Sequence, residues 1–278
     1  METKFFDNFF SGVEQTELSL AGETLRMPVF YRKARAFMAT FPANIFRLKR
    51  LLPDPRFSPA QAFPGIGLVA LAAFEYSDTD IHPYNEFSIS IMLNNPHVLK
   101  IPGYNLLMQL LQFNLYTYIL HLPVNTELAL RGGVDLYNYP KFLASIEFSD
   151  TKDYITCDLK EKEDRIVSIK GKKIPAEKEA VMKFFCHLYQ YKQPQYVEFK
   201  VNALRYGISM NPNNVELELG SLHPLASELA RTLISRKALN CFYIPDMQAI
   251  LYGPEYMPIP LIKSVLVNSP DLSTQKLC

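Results

Sequence analysis

The chain has 278 residues, 48% of them hydrophobic and 21% charged, a balance that can bury a large core and fits one globular domain over residues 1–278, or two tightly fused ones. Its 29 basic and 28 acidic residues are interspersed and leave a formal charge of +1. That excludes the basic face of a nucleic-acid binder and the polybasic arm of a membrane-surface protein, so the expected ligand is a small molecule.

From the N-terminus, "METKFFDNFF" sets acids among aromatics and lacks the basic region, apolar core and small-residue cleavage site of a signal peptide. Four cysteines, Cys157, Cys186, Cys241 and Cys278, are far apart without C-x-x-C spacing and read as thiols of a reduced compartment. A cytoplasmic protein is expected. "PANIFRLKRLLP" places Ile45, Leu48, Leu51 and Leu52 on one helical face and stops at Pro53, which predicts a helix. Strands are expected at 67–76 and 85–94, where β-branched and aromatic residues sit between turn formers. The apolar stretch from Leu106 to Val124 carries Gln109, Gln112 and Asn114, which a lipid span would rarely accept; it reads as a buried strand pair or a subunit contact.

Further strands are expected at 142–148, 154–159, 165–171, 195–210 and 214–220, with the short polar "EKED" joining the second and third as a hairpin. Twenty prolines punctuate this β-rich pattern. Two more helices are expected. In "IPAEKEAVMKFFCHLYQ", Pro175 occupies the first turn and Val181, Phe184, Phe185 and Leu188 form a stripe. "SLHPLASELARTLISRKALN" offers Ser221 as N-cap, Pro224 early, and Leu225, Leu229 and Leu233 at helical spacing. The last residues, "NSPDLSTQKLC", have the composition of a loose tail. The fold class is mainly β (α+β), a sheet or barrel carrying a few helices.

Several motifs lead nowhere. "GIGLVA" at 65–70 fits a dinucleotide fingerprint but precedes a strand instead of joining strand to helix, so a turn feeding a strand is expected. His82 and Glu86 are four apart, yet Pro83 argues against a helix and no ligand cluster accompanies them; neither a metal nor a cofactor is expected. No G-x-S-x-G supports serine catalysis. What remains is Lys141 in "DLYNYPKFLASIEF", set directly after a proline among Tyr137, Tyr139 and Phe142. It reads either as a surface lysine with its stem over aromatic rings or as a desolvated amine available as a nucleophile.

The motif Tyr139-Pro140-Lys141 resembles the Tyr/Phe-Pro-Lys segment of the acetoacetate decarboxylase superfamily. "LLPDP" (51–55), "PYNEFSISI" (83–91) and "NTELALRGG" (125–133) resemble, in the same order, that family's Val-Pro-Glu-Pro segment, its active-site glutamate segment and its Asn-Glu turn with a Gly-Arg pair. The resemblance covers roughly residues 25 to 150. It implies a barrel-like antiparallel sheet with peripheral helices, assembly into homo-oligomers, and decarboxylation of a small, acetoacetate-like β-keto acid through a lysine imine. Lys141 then corresponds to the imine-forming lysine and Glu86 to the glutamate beside it. Arg35, with Arg32 as rival, matches an arginine approaching the substrate. Tyr84, Tyr139 and Phe142 are expected substrate contacts, and Tyr137, Pro140 and Leu143 join Tyr139 and Phe142 in a wall excluding water. Two departures stand out: Phe142 replaces a second lysine, and "LRGGVD" lacks the acid beside the arginine or displaces it to Asp135. Burial alone can make a lysine's neutral form available near neutral pH, so a missing cationic neighbour does not exclude imine chemistry; acetoacetate decarboxylase is itself a standard example of such activation. The alternatives are imine-forming aldolase-dehydratase chemistry and a barrel that binds a small acid without reaction.

Overall fold

A computed structural model describes residues 9–20, 22–190 and 193–256. The expected tail at 268–278, with Cys278, and the first eight residues lie outside them. The strands in chain order are β1 (Thr16–Leu20), β2 (Glu23–Met27), β3 (Val29–Asn44), β4 (Gln61–Phe63), β5 (Ile66–Thr79), β6 (Tyr84–Met92), β7 (Asn114–His121) and β8 (Ser145–Asp150). They continue as β9 (Tyr154–Glu161), β10 (Asp164–Lys172), β11 (Lys178–Gln190), β12 (Gln193–Ser209), β13 (Val215–Leu219), β14 (Asn240–Leu251) and β15 (Glu255–Tyr256). The helices are α1 (Ile45–Leu51), α2 (Tyr104–Gln112), α3 (Glu127–Arg131) and α4 (Pro224–Thr232), and a π-helical turn follows α3 at Gly132–Leu136.

Seven strands close into a barrel in the order β11-β7-β6-β5-β3-β14-β12, because β12 pairs with both β14 and β11. All neighbours are antiparallel except β11 and β7. Closure leaves these strands without free edges, which answers the aggregation hazard of so apolar a sheet. A second sheet, β13-β10-β9-β8, packs on the outside of the barrel. Strand β5 explains the architecture: Leu68, Ala70, Ala72, Phe74 and Tyr76 turn into the barrel, while Val69, Leu71 and Ala73 face the second sheet. Both faces are buried, so β5 reads as a nearly continuous apolar run. Between barrel and sheet, Phe37, Phe41 and Leu71 meet Ile155, Leu159 and Ile169, with Leu225 and Leu229 of α4 in the same cluster.

The expected strands at 67–76, 85–94, 154–159, 165–171, 195–210 and 214–220 coincide with β5, β6, β9, β10, β12 and β13. The "EKED" hairpin forms with Lys162 left-handed at its turn. "GIGLVA" is a turn at Gly65 feeding β5. Helix α1 starts where Asn44 Oδ1 accepts from Phe46 N–H and Arg47 N–H, and it buries Ile45 and Leu48.

Three expectations are corrected. The segment predicted to be a helix from Pro175 is β11: Met182, Phe184, Cys186 and Leu188 recur with period two, and pairing with both β7 and β12 overrides the helical stripe. Leu106–Val124 is helix α2 followed by β7, not a strand pair; Gln109 is the reason, since its amide donates to Leu93 O at 2.9 Å and its Oε1 accepts from Tyr116 N–H at 2.9 Å across the helix-strand corner. Helix α4 is capped by His223, not Ser221: His223 Nδ1 accepts from Leu225 N–H at 3.1 Å and Nε2 lies 2.9 Å from Glu161 Oε2. No helix among the described residues is long and apolar enough to cross a membrane.

Candidate active site

Local backbone chemistry brings Lys141 and Glu86 together. Two residues past the π-turn, Asn138 adopts φ 56°, a left-handed conformation that asparagine tolerates. Tyr139 N–H then donates to Gly133 O at 2.9 Å, folding the chain back on the turn. Beyond Pro140 the backbone is extended and laced to 122–124: Leu122 N–H donates to Pro140 O (3.1 Å), Val124 N–H to Phe142 O (3.0 Å) and Ala144 N–H to Val124 O (2.9 Å). On its other side Val124 bridges Glu86 of β6, and Phe87 N–H donates to Pro123 O at 3.0 Å. One short segment thus holds the lysine beside the glutamate, 55 residues away in sequence.

Lys141 Nζ lies 2.7 Å from Glu86 Oε2, with side chains only 5% and 10% exposed. A buried pair of this kind needs its remaining polar positions filled. Tyr76 Oη donates to the second oxygen, Glu86 Oε1, at 3.3 Å. The Tyr84 and Tyr139 rings face the ammonium with centroids 5.6 and 5.9 Å from Nζ, within cation–π reach. Tyr31 Oη pairs with Tyr84 Oη at 3.0 Å. Burial, reinforced by the charge of Glu86, holds the Tyr31, Tyr76 and Tyr84 phenols well above their usual pKa; burial does the same to Tyr139. These hydroxyls stay protonated, and that of Tyr76 donates to Glu86. Cys186, a thiol on the same wall, is pushed up to about 12 by burial and is unreactive as a nucleophile.

Gly133 makes room for the lysine. A Cβ built there would stand 2.3 Å from Lys141 Cδ and Cε and 3.0 Å from Nζ, so no other residue leaves the amine where it is.

The pair closes the inner end of a cavity of about 360 Å³ inside the barrel. Among the described residues, Lys141 and Glu86 are the charged members of its lining; Tyr31, Tyr76 and Tyr139 join them, and the rest is mostly aliphatic. Tyr84 touches the lysine through its ring from the layer behind.

The other sequence-derived residues lie elsewhere. Arg35 lies on the outer face of β3, paired with Glu75 on the neighbouring strand and with Asp150 at 2.8 Å, its guanidinium 5.4 Å from the Phe148 ring. Register shifts at Lys33 turn the strand so that Tyr31 and Met38 face the bore while Arg35 and Phe37 face away. Arg32 pairs with Asp80 at 2.5 Å near the surface. Neither arginine lines the cavity. Phe142 packs into the cluster between the barrel and the second sheet, and Leu143 is 39% exposed, because an extended backbone turns consecutive side chains to opposite sides. Residue 142 therefore has no direct view of the amine, whatever its type. Asp135 lies 3.9 Å from Arg131, both half-exposed. Sequence reading missed Tyr31, Tyr76, Gly133 and Cys186; only Tyr76 carried a signal, the period-two pattern of β5. Among the described residues no group of three or more His, Cys, Asp or Glu side chains is placed to hold a metal.

Residues 18–244 match the family described as acetoacetate decarboxylase (ADC). The chain belongs to the acetoacetate decarboxylase family. Solved structures agree in fold: one from structural studies of acetoacetate decarboxylase is 16% identical with a TM-score of 0.61, covering 84% of this chain and 91% of that one. The acetoacetate decarboxylase of Legionella pneumophila is 12% identical, with a TM-score of 0.58 and 83% and 87% coverage. The enduracididine biosynthesis enzyme MppR, solved with pyruvate, is 12% identical with a TM-score of 0.54 over 82% and 89%. No curated protein matches the sequence.

Proposed function

We propose that this family member decarboxylates a 3-oxo acid through an imine on Lys141. The observation that carries the reading is the buried amine at the blind end of the cavity, 2.7 Å from a single acid. Burial disfavours the charged form of an amine and can make its lone pair available without a cationic neighbour, so the absence of a second lysine at position 142 does not weigh against the step.

The amine attacks the C3 carbonyl, and loss of water gives a cationic imine. The C1–C2 bond then breaks, CO₂ leaves, and the bonding pair moves into the imine to give an enamine. Glu86, or a donor relayed through it, protonates C2, and water hydrolyses the resulting imine to a methyl ketone and free Lys141. Tyr76 steadies Glu86 through its hydrogen bond, and the surrounding tyrosine rings keep bulk water from the amine. With Arg35 outside the cavity, the substrate carboxylate meets no guanidinium among the described residues there; next to Glu86 and poorly solvated, it gains by leaving as neutral CO₂.

The test is borohydride trapping with 3-oxo acids and 2-oxo acids, peptide mapping by mass spectrometry, and CO₂ measurement. An adduct on Lys141 with CO₂ release from a 3-oxo acid is expected. An adduct without CO₂ would mean condensation or dehydration chemistry instead. In Lys141→Ala all turnover should vanish; a variant that still releases CO₂, or a wild type that binds the acid and never forms an adduct, overturns the proposal.

A further inference from the structure

The cavity extends far beyond the reacting pair. From Glu86 to Met92, β6 runs seven residues, or six steps, along its wall, about 20 Å at roughly 3.3 Å per step. At some 360 Å³ the cavity is of a size that encloses a drug-sized molecule. A four-carbon acid would fill only its inner end.

The cross-strand register shows why the bore stays open. Phe74 opposite Glu86 forms the inner layer; the next two layers are Ala72 opposite Ser88 and Ala70 opposite Ser90. Small side chains at these positions leave the barrel axis empty where larger ones would fill it. Beyond them, Leu68, Met92, Leu106 and Leu115 form one apolar cluster, with Leu110 of α2 packed against it. The same cavity is then lined by Phe63, Leu107 and Met210, which are 60%, 52% and 63% exposed. The surface from the amine to solvent is thus mostly apolar, and among the described residues no charged group lines it after Glu86 and Lys141.

We propose that the substrate is a 3-oxo acid with an aliphatic tail, its carboxyl and ketone at Lys141 and Glu86 and its alkyl chain lying along the bore toward the mouth beside α2. The inference rests on the imine reading for the head group, and on the bore alone for the tail. Each methylene buried along the bore contributes about 0.8 kcal/mol, so kcat/KM should rise about fourfold per methylene until the chain reaches the mouth. Binding energy from the remote tail is available to hold the carboxylate in its poorly solvated position.

The experiment measures kcat/KM for CO₂ release from 3-oxobutanoate, 3-oxohexanoate, 3-oxooctanoate, 3-oxodecanoate and 3-oxododecanoate, with borohydride trapping of the shortest and longest acids in parallel. Calorimetric binding of the corresponding saturated acids reads the tail without the chemistry. Wild type should show a steep rise with chain length. Ala70→Phe, which plugs the bore, should move the optimum to shorter acids. Because a phenylalanine there also risks the fold, Leu107→Asp at the exposed mouth is the second variant; it should lower the ratio of 3-oxododecanoate to 3-oxobutanoate turnover by about tenfold. A flat profile, or a preference for 3-oxobutanoate, together with equal trapping on Lys141, would overturn the tail and leave the imine reading standing. Absence of any adduct, with affinity for saturated acids still rising with length, would remove the imine reading and uphold the apolar bore.

Discussion

The two faces of the barrel wall solve opposite packing problems with the same strands. Outward, β3 sends Phe37, Ala39 and Phe41 into a dense core against the second sheet, so tightly that the Cβ of any residue other than glycine at position 171 would overlap the Phe37 ring, 2.0 Å from its Cζ. Inward, β5 and β6 present Ala70, Ala72, Ser88 and Ser90, and the space they decline to fill becomes a cavity. Charge follows the same division. Outside, Arg35 pairs with Glu75 and Asp150 with side chains 27%, 35% and 33% exposed, where water shares the load; inside, Lys141 and Glu86 have 5% and 10% exposure and depend on one another. An aromatic core stabilises the fold, and an unfilled bore with one isolated ion pair is where chemistry becomes possible.

That contrast can be broken most forcefully at Gly133. A methyl group there collides with the flexible stem of Lys141, not with backbone, so Gly133→Ala should shift the amine while the fold survives. Misplacement of a reacting group by about 1 Å can cost on the order of 10²-fold, and a kcat loss of that size with a nearly unchanged urea midpoint is expected. Wild-type kcat in this variant would show that the amine's position is not critical.

Next in size is the buried pair itself. Glu86→Gln leaves the ammonium without its counter-charge and should lower stability by about 3–5 kcal/mol, read by urea unfolding. Glu86→Gln combined with Lys141→Met should regain most of that loss while remaining inactive, a combination that separates the stability of the pair from its chemistry. Equal destabilisation in the double variant would mean that Glu86 acts through packing alone.

Alkaline pH probes the tyrosine layer. Tyr31, Tyr76, Tyr84 and Tyr139 have folded-state pKa values raised by burial, whereas in the unfolded chain they ionise near 10. Below that value both states hold the protons; above it the unfolded state loses them first. Stability should therefore fall as pH rises past about 10, by up to about 1.4 kcal/mol per pH unit for each tyrosine. Tyr84→Phe should shallow that slope, measured as the urea midpoint against pH; an unchanged slope would place the alkaline sensitivity elsewhere.

The smallest effect is expected outside. Arg35→Gln removes half-exposed pairs, should cost about 0–1 kcal/mol, and should leave KM for the acid within a factor of two or so of wild type. A large rise in KM would bring Arg35 back as a substrate contact and require β3 to rearrange on binding.

Sequence by itself determined the β-rich class, α1 and α4, most strands, and the candidate pair Lys141 and Glu86, because period-two alternation, proline stops and a Tyr-Pro-Lys motif are local signals. It misjudged β11, whose stripe fits both periods until pairing with β7 and β12 decides between them. It also placed Arg35 and Phe142 at the site, although register shifts in β3 and the alternation beyond Pro140 turn both away. Tyr31 and Gly133 gave no such sign of belonging with Lys141, and Tyr76 gave only the period-two pattern of β5. Only tertiary structure decided them, because which side chains share a bore depends on barrel closure, strand register and the backbone bonds of residues 122–124, all of them contacts between residues distant in the chain.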